Sequence, residues 1–296
     1  MPLMDDSTPL GAELARDQTR AARLRGRTFP KPPQTRVFTV ANQKGGVGKT
    51  TTTVNLAAAM AFQGLSVLVV DIDPQGNAST ALSIPHTQDV NSVYDVVIGG
   101  EPFSSIVQEC PDIENLRCAP ATIDLAGAEI ELVSLVAREQ RLKTALDAYL
   151  KEEAAAGRRV DYVFIDCPPS LGLLTVNAFV AASEVLIPIQ CEYYALEGLS
   201  QLLNSIQLIQ KHLNPELSIS TILLTMYDRR TNLSAQVADD VRAHFPKQVL
   251  ESTIPRSVRV SEAPSYGQTV ITYDTNSSGA LSYREAAEEI AERAVR

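Results

Sequence analysis

The sequence predicts an α/β fold, a doubly wound and mostly parallel sheet with helices on both faces. From Val37 onward, short β-rich runs alternate with helix-length amphipathic segments. The strand-like runs are almost continuously apolar, as strands covered on both faces require. A glycine-rich turn joins the first strand to the first helix. The 296 residues, 45% of them hydrophobic and 21% charged, are enough to bury such a core without covalent staples.

Strands are expected at Val37–Ala41, Val67–Asp71, Tyr162–Asp166, Val185–Gln190, Ile219–Met226 and Val249–Thr253. Helices are expected at Thr50–Gln63, as one long helix within Ile123–Leu150, and at Ala195–His212, Leu233–His244 and Leu281–Arg293. Gly64 suits a left-handed helix end, and Pro215 and Pro246 stop the helices before them. The apolar stretch Leu173–Cys191 is interrupted by Asn177, Glu184 and Pro188, so it reads as a helix followed by a buried strand rather than a membrane span.

Residues 1–36 differ from the rest. Arg16, Arg20, Arg23, Arg25, Arg27, Lys31 and Arg36 outnumber Asp5, Asp6, Glu13 and Asp17, giving this segment a net +3 within a chain of net charge −9. Pro30, Pro32 and Pro33 mark an extended junction. The expected organisation is a basic, disordered extension over 1–36 and one domain over 37–296. The extension would add phosphate contacts, act as a solubilising arm, or form a helix on a partner through Leu10, Leu14, Ala21, Ala22 and Leu24. Asp5 and Asp6 stand where a signal peptide needs basic residues, so export is not expected. Cys110, Cys118, Cys167 and Cys191 show no metal-ligand spacing and read as reduced core thiols of a cytosolic protein.

The chemistry starts at Val37–Thr51, VFTVANQKGGVGKTT. Gly45, Gly46 and Gly48 let backbone N–H groups converge on phosphate oxygens, and the helix that follows adds its positive end. Val47 and Thr51 complete the loop. Lys49 would meet the β and γ phosphates and Thr50 would offer its hydroxyl to Mg²⁺, so ATP and Mg²⁺ are the expected cofactors. Gln43 replaces the usual leading glycine, and an extra lysine, Lys44, enters the loop. A second buried strand ends in Asp71-Ile72-Asp73-Pro74-Gln75-Gly76-Asn77 and a third in Asp166-Cys167-Pro168-Pro169, which brings carboxylates to the carboxyl end of the sheet, where ligands bind. Asp166 would hold Mg²⁺ through water, and the Pro168–Gly172 segment would sense the γ-phosphate.

The Lys44–Thr51 segment resembles the deviant phosphate loop of the ParA/MinD family of ATPases. The segments Gln190–Gly198 and Ile254–Pro264 place the resemblance nearer the chromosomal ParA, or Soj, branch, although Ser257 stands where that branch often has Asn. The resemblance implies that Lys44 reaches across a dimer interface to the partner's ATP, so that nucleotide is sandwiched between two subunits. It implies that Asp73 orients the attacking water, that Asp71 joins the Mg²⁺ hydration shell, and that adenine lies near Thr225, Met226 and Pro255. Slow hydrolysis would act as a timer on sequence-independent DNA binding through Arg230 and Arg259, with a ParB-like partner stimulating turnover. The site of action would be the nucleoid in the cytoplasm, and the cargo a chromosome, a plasmid or a protein cluster.

A MinD-like membrane output is the rival. It needs a basic amphipathic tail, whereas Tyr283–Arg296 carries four glutamates and small apolar residues that anionic lipid would repel. An iron–sulfur electron carrier, as in nitrogenase iron proteins, needs cysteines in cluster-binding contexts that these four lack.

Overall fold

The computed structural model describes residues 9–192 and 195–295. Strands are β1 (Arg36–Val40), β2 (Val67–Asp71), β3 (Gln108–Glu109), β4 (Leu116–Ala119), β5 (Tyr162–Asp166), β6 (Glu184–Gln190), β7 (Ser218–Tyr227) and β8 (Val249–Pro255). The α-helices are α1 (Pro9–Leu24), α2 (Lys49–Phe62), α3 (Asn77–Ala81), α4 (Leu125–Glu131), α5 (Arg141–Ala155), α6 (Leu173–Ala181), α7 (Ala195–His212), α8 (Asn232–His244), α9 (Val258–Glu262), α10 (Val270–Tyr273) and α11 (Ser278–Arg293).

These strands form one eight-stranded sheet in the order β3-β4-β2-β5-β1-β6-β7-β8. Its neighbours run parallel except β3 and β4. β5 shows why the strands are apolar at every position: Tyr162 and Phe164 enter the core under α2 and α11, while Val163 and Ile165 enter the core under α5 and α6. Phe38 stacks on Phe164 at 5.4 Å between ring centroids, tying β1 to β5 at the sheet centre. The register sets Asp71 directly beside Asp166. The two carboxylates therefore leave the sheet together, next to the end of β1.

Three expectations are corrected. The helix expected within Ile123–Leu150 is broken into α4, a short 3₁₀ turn at Leu132–Ser134, and α5. Leu135 is extended and Ala137 has φ +51, a conformation an α-helix cannot contain. The strands β3 and β4 have no counterpart in the expected set, because two to four residues are too few to show a period. Finally, residues 9–24 of the extension are helical, and α1 lies on α11. Arg20 and Arg23 pair with Glu285 at 2.6 and 3.1 Å, Arg23 reaches Glu288 at 3.3 Å, and Arg27 also pairs with Glu288. Leu24 is completely buried. The acidic stripe of α11 is the seat of the basic segment. Residues 1–8, including Asp5 and Asp6, and Tyr193 and Tyr194 of the Gln190–Gly198 segment lie outside the described residues.

The four cysteines are free and buried, and Gly64 takes the expected left-handed conformation at φ +87. Among the described residues no helix is long and apolar enough to cross a membrane.

Candidate active site

The loop between β1 and α2 is built from backbone conformations that its sequence permits. Gly46 and Gly48 have φ of +74 and +88, accessible to glycine at little cost, and a Cβ on Gly45 or Gly46 would stand in open space. The two glycines themselves put no side chain over the turn. The loop is braced from below. Thr225 Oγ1 donates to the Val47 carbonyl at 2.9 Å, and Asn42 accepts from the Lys44 N–H at 3.0 Å while donating to the Pro188 carbonyl at 2.8 Å. Val47 is buried, and Thr51 lies in the first turn of α2.

Lys49 is 7% exposed. No hydrogen bond or ion pair holds its ammonium among the described residues. Burial lowers its pKa, and the field of Asp166 offsets this only in part. A buried cation with no bonded counter-charge, at the mouth of an N–H-lined turn, is a site that favours an anion.

The carboxylates lie beside it. Thr50 Oγ1 donates to Asp166 Oδ2 at 2.7 Å, and Thr53 Oγ1 donates to Asp166 Oδ1 at 3.0 Å. Burial pushes the Asp166 carboxyl well up, and the neighbouring Asp71 adds to the shift. Asp71 is pushed up as well, again chiefly by burial, despite hydrogen bonds from Ser79. Such a pair gains from a divalent cation. The adjoining Thr50 hydroxyl and Asp166 carboxylate are the hard oxygen donors that would hold Mg²⁺, an ion that keeps several of its waters and needs few protein ligands.

Asp71 is anchored through both carboxylate oxygens. Its Oδ2 accepts from the Ser79 N–H at 2.8 Å and hydroxyl at 2.7 Å, and its Oδ1 accepts from the Asp73 N–H at 3.2 Å. Oδ2 thus ties the end of β2 to α3, while Oδ1 supports the Asp73 turn and keeps a lone pair for water. Asp73 is 8% exposed, and one of its oxygens accepts from the Gln75 N–H at 3.0 Å. The other oxygen makes no hydrogen bond among the described residues and is available to water.

Lys44 sits at the rim. Its ammonium pairs with Glu192 at 3.1 Å, and the other Glu192 oxygen accepts from Gln190. Thr225 is buried beneath the loop, with its hydroxyl proton given to the Val47 carbonyl. Met226 and Pro255 lie at the ends of the paired strands β7 and β8, and Met226 holds φ +50, a strained conformation of the kind that clusters at functional sites. Arg230 is clamped by Asp228 at 3.0 Å, while Arg259 pairs with Glu262 at 3.4 Å and with Asp274 at 3.6 Å.

Sequence reasoning missed Thr53, Ser79, Glu129 and Glu192. Thr53 had a signal, being one helical turn beyond Thr50 and so on the same face. Glu129 had none: from α4 its carboxylate accepts the N–H groups of Leu173 and Leu174 at 2.7 and 3.3 Å, capping α6 just after the Pro168–Gly172 segment. A Cβ on Gly172 would fall 2.1 Å from that carboxylate, so only glycine admits the cap without a shift.

Residues 35–219 match the family model described as AAA domain. The chain is 53% identical over 256 residues to the sporulation initiation inhibitor protein Soj of Bacillus subtilis, covering 86% of this chain and 98% of that protein. It is 50% identical over 260 residues to the chromosome partitioning protein ParA of Caulobacter vibrioides, covering 87% and 94%. Among solved structures, a Mycobacterium smegmatis protein described as cobyrinic acid a,c-diamide synthase, with bound ADP and magnesium, aligns at a TM-score of 0.74 and 38% identity over 88% of this chain and 95% of that one. The extra lysine of the phosphate loop, the carboxylates gathered beside it and this extent of identity lead to one conclusion: the chain belongs to the ParA/Soj family of ATPases, enzymes that hydrolyse ATP with Mg²⁺.

Proposed function

We propose that the chain is a partitioning switch in which ATP assembles a dimer, the dimer binds DNA without sequence preference, and hydrolysis releases it. The observation that carries this reading is the buried, unpaired ammonium of Lys49 beside the Thr50–Asp166 pair, with a second lysine, Lys44, held at the rim. Bound Mg²⁺ would offset phosphate charge. Lys49 binds the β and γ phosphates, the loop N–H groups orient them, and Asp73 holds the attacking water through its open oxygen. Lys44 leaves Glu192 to reach the nucleotide of a second subunit. A ParB-like partner stimulates turnover, and the protein acts on the nucleoid in the cytoplasm. The names of the Soj and ParA relatives support a role in chromosome partitioning.

A membrane-bound output is disfavoured by α11. Its Tyr283, Ala287 and Ile290 are buried against the core, so its apolar face is already used, and its acidic stripe holds α1.

The test measures affinity for a random-sequence duplex with ATP, with ADP and without nucleotide, at two salt concentrations, alongside anionic vesicles. Tight, salt-sensitive DNA binding confined to ATP is expected. Vesicle binding without DNA binding overturns the reading.

A further inference from the structure

A cleft of about 920 Å³ opens between α1 and the ends of β7 and β8, at the same carboxyl edge of the sheet as the phosphate loop. Arginines line it from three segments: Arg16 and Arg20 from α1, Arg229 and Arg230 after β7, and Arg256 after β8. Their partners divide them into two sets. Arg20 is neutralised by Asp17 and Glu285, and Arg230 is clamped by Asp228. Arg16, Arg229 and Arg256 are exposed and form no ion pair among the described residues; the Asp228 carboxyl is held down, to about 2, chiefly by hydrogen bonds from Arg230 and to a small extent by the field of Arg256. Facing them, Glu251 is the one carboxylate of the lining outside an ion pair among the described residues. Cations at a cleft rim without bonded counter-charge are what a polyanion backbone engages, since each phosphate neutralised releases a condensed counterion.

The helix that brings Arg16 lies outside the family-matched segment, which begins at residue 35. Its placement depends on this chain's own ladder of Arg20, Arg23 and Arg27 on Glu285 and Glu288. We infer that the docked α1 is a third wall of the nucleic-acid surface, and that Arg16, together with Arg229 and Arg256, grips the DNA phosphate backbone. This rests on the DNA-binding reading and adds Arg16, Arg229 and Arg256 to the arginines expected from sequence, Arg230 and Arg259, whose exposed carboxylate pairs are weak.

The experiment uses the full chain with ATP and Mg²⁺, measuring affinity for a random duplex across a salt series. Arg16→Glu should weaken binding at least tenfold at low salt and flatten the slope of log affinity against log salt by about 1 per subunit. Arg16→Lys should keep the slope, because the phosphate contact needs a charge. Lys151→Glu, on α5 and outside the cleft, makes the same change in net charge and should leave affinity within about twofold. Thermal midpoints of the variants report whether the fold is kept. Equal losses from Arg16→Glu and Lys151→Glu, or no loss from Arg16→Glu while Arg229→Glu and Arg256→Glu weaken binding, overturn the role of α1 alone. Failure of the parent chain to bind DNA with ATP removes the DNA reading itself.

Discussion

Glu192 holds the ammonium of Lys44 at 3.1 Å, within the subunit that carries both. The lysine proposed to act on a second subunit is thus held by a carboxylate of its own, and its transfer exchanges one ion pair for a phosphate contact. The pair is partly exposed, so its worth is small, about 0.2–1 kcal/mol. Glu192→Gln should therefore promote ATP-dependent dimerisation by up to about fivefold, and Lys44→Ala should abolish it while leaving nucleotide binding to the monomer intact. Light scattering against ATP concentration decides. A Glu192→Gln protein that dimerises less readily would show that Glu192 assists Lys44 rather than restraining it.

Asp73 has one oxygen held by its own turn and one open. Asp73→Ala should retain ATP affinity and lower turnover by about two orders of magnitude, the lower end of what a positioned proton acceptor contributes. Phosphate release and nucleotide binding measured on the same preparation separate the two effects. Unchanged hydrolysis would refute the role.

Gly172→Ala should displace the Glu129 carboxylate and uncap α6, at a cost of about 0.5–2 kcal/mol. In a Glu129→Ala background the same glycine substitution should cost clearly less, because the carboxylate it collides with is gone. A urea-denaturation cycle over the four proteins reads the coupling, and strict additivity would deny it.

Burial raises each of the four thiols, Cys110 to about 12 and Cys191 to about 11, with fully buried Cys118 and Cys167 also well above the ordinary thiol range. The reactive thiolate is therefore scarce below pH 9. A colourimetric thiol reagent at pH 8 should find none of the four in the native protein within minutes and all four after unfolding in guanidinium. Rapid modification of the folded chain would mean that one core opens locally.

Much of the site was legible because its parts are contiguous or repeat a strand-then-carboxylate pattern. Lys44–Thr51 is one turn whose glycines and lysines carry their purpose in their spacing. Asp71 and Asp166 each end a strand of five buried residues, so an open α/β sheet brings them to one edge. Asp71 shows the limit. Its position was readable, but its commitment to Ser79 and the Asp73 turn was not, because a hydrogen-bond partner eight residues away is chosen by the path of the intervening loop. Arg230 and Arg259 were likewise named from resemblance without the carboxylates that pair with them.

The sequence alone determined the layered sheet, the phosphate loop and the carboxylates at its edge, since each depends on local periodicity or on chain continuity. Only the tertiary structure decided that Thr225 braces the loop, that Glu192 holds Lys44, that Glu129 caps α6 and that the basic extension seats on the acidic face of α11. The physical reason is that an ion pair or a cap has no period. A free carboxylate and one destined for an arginine 265 residues away, as Glu285 is for Arg20, look the same until packing brings them within hydrogen-bond reach.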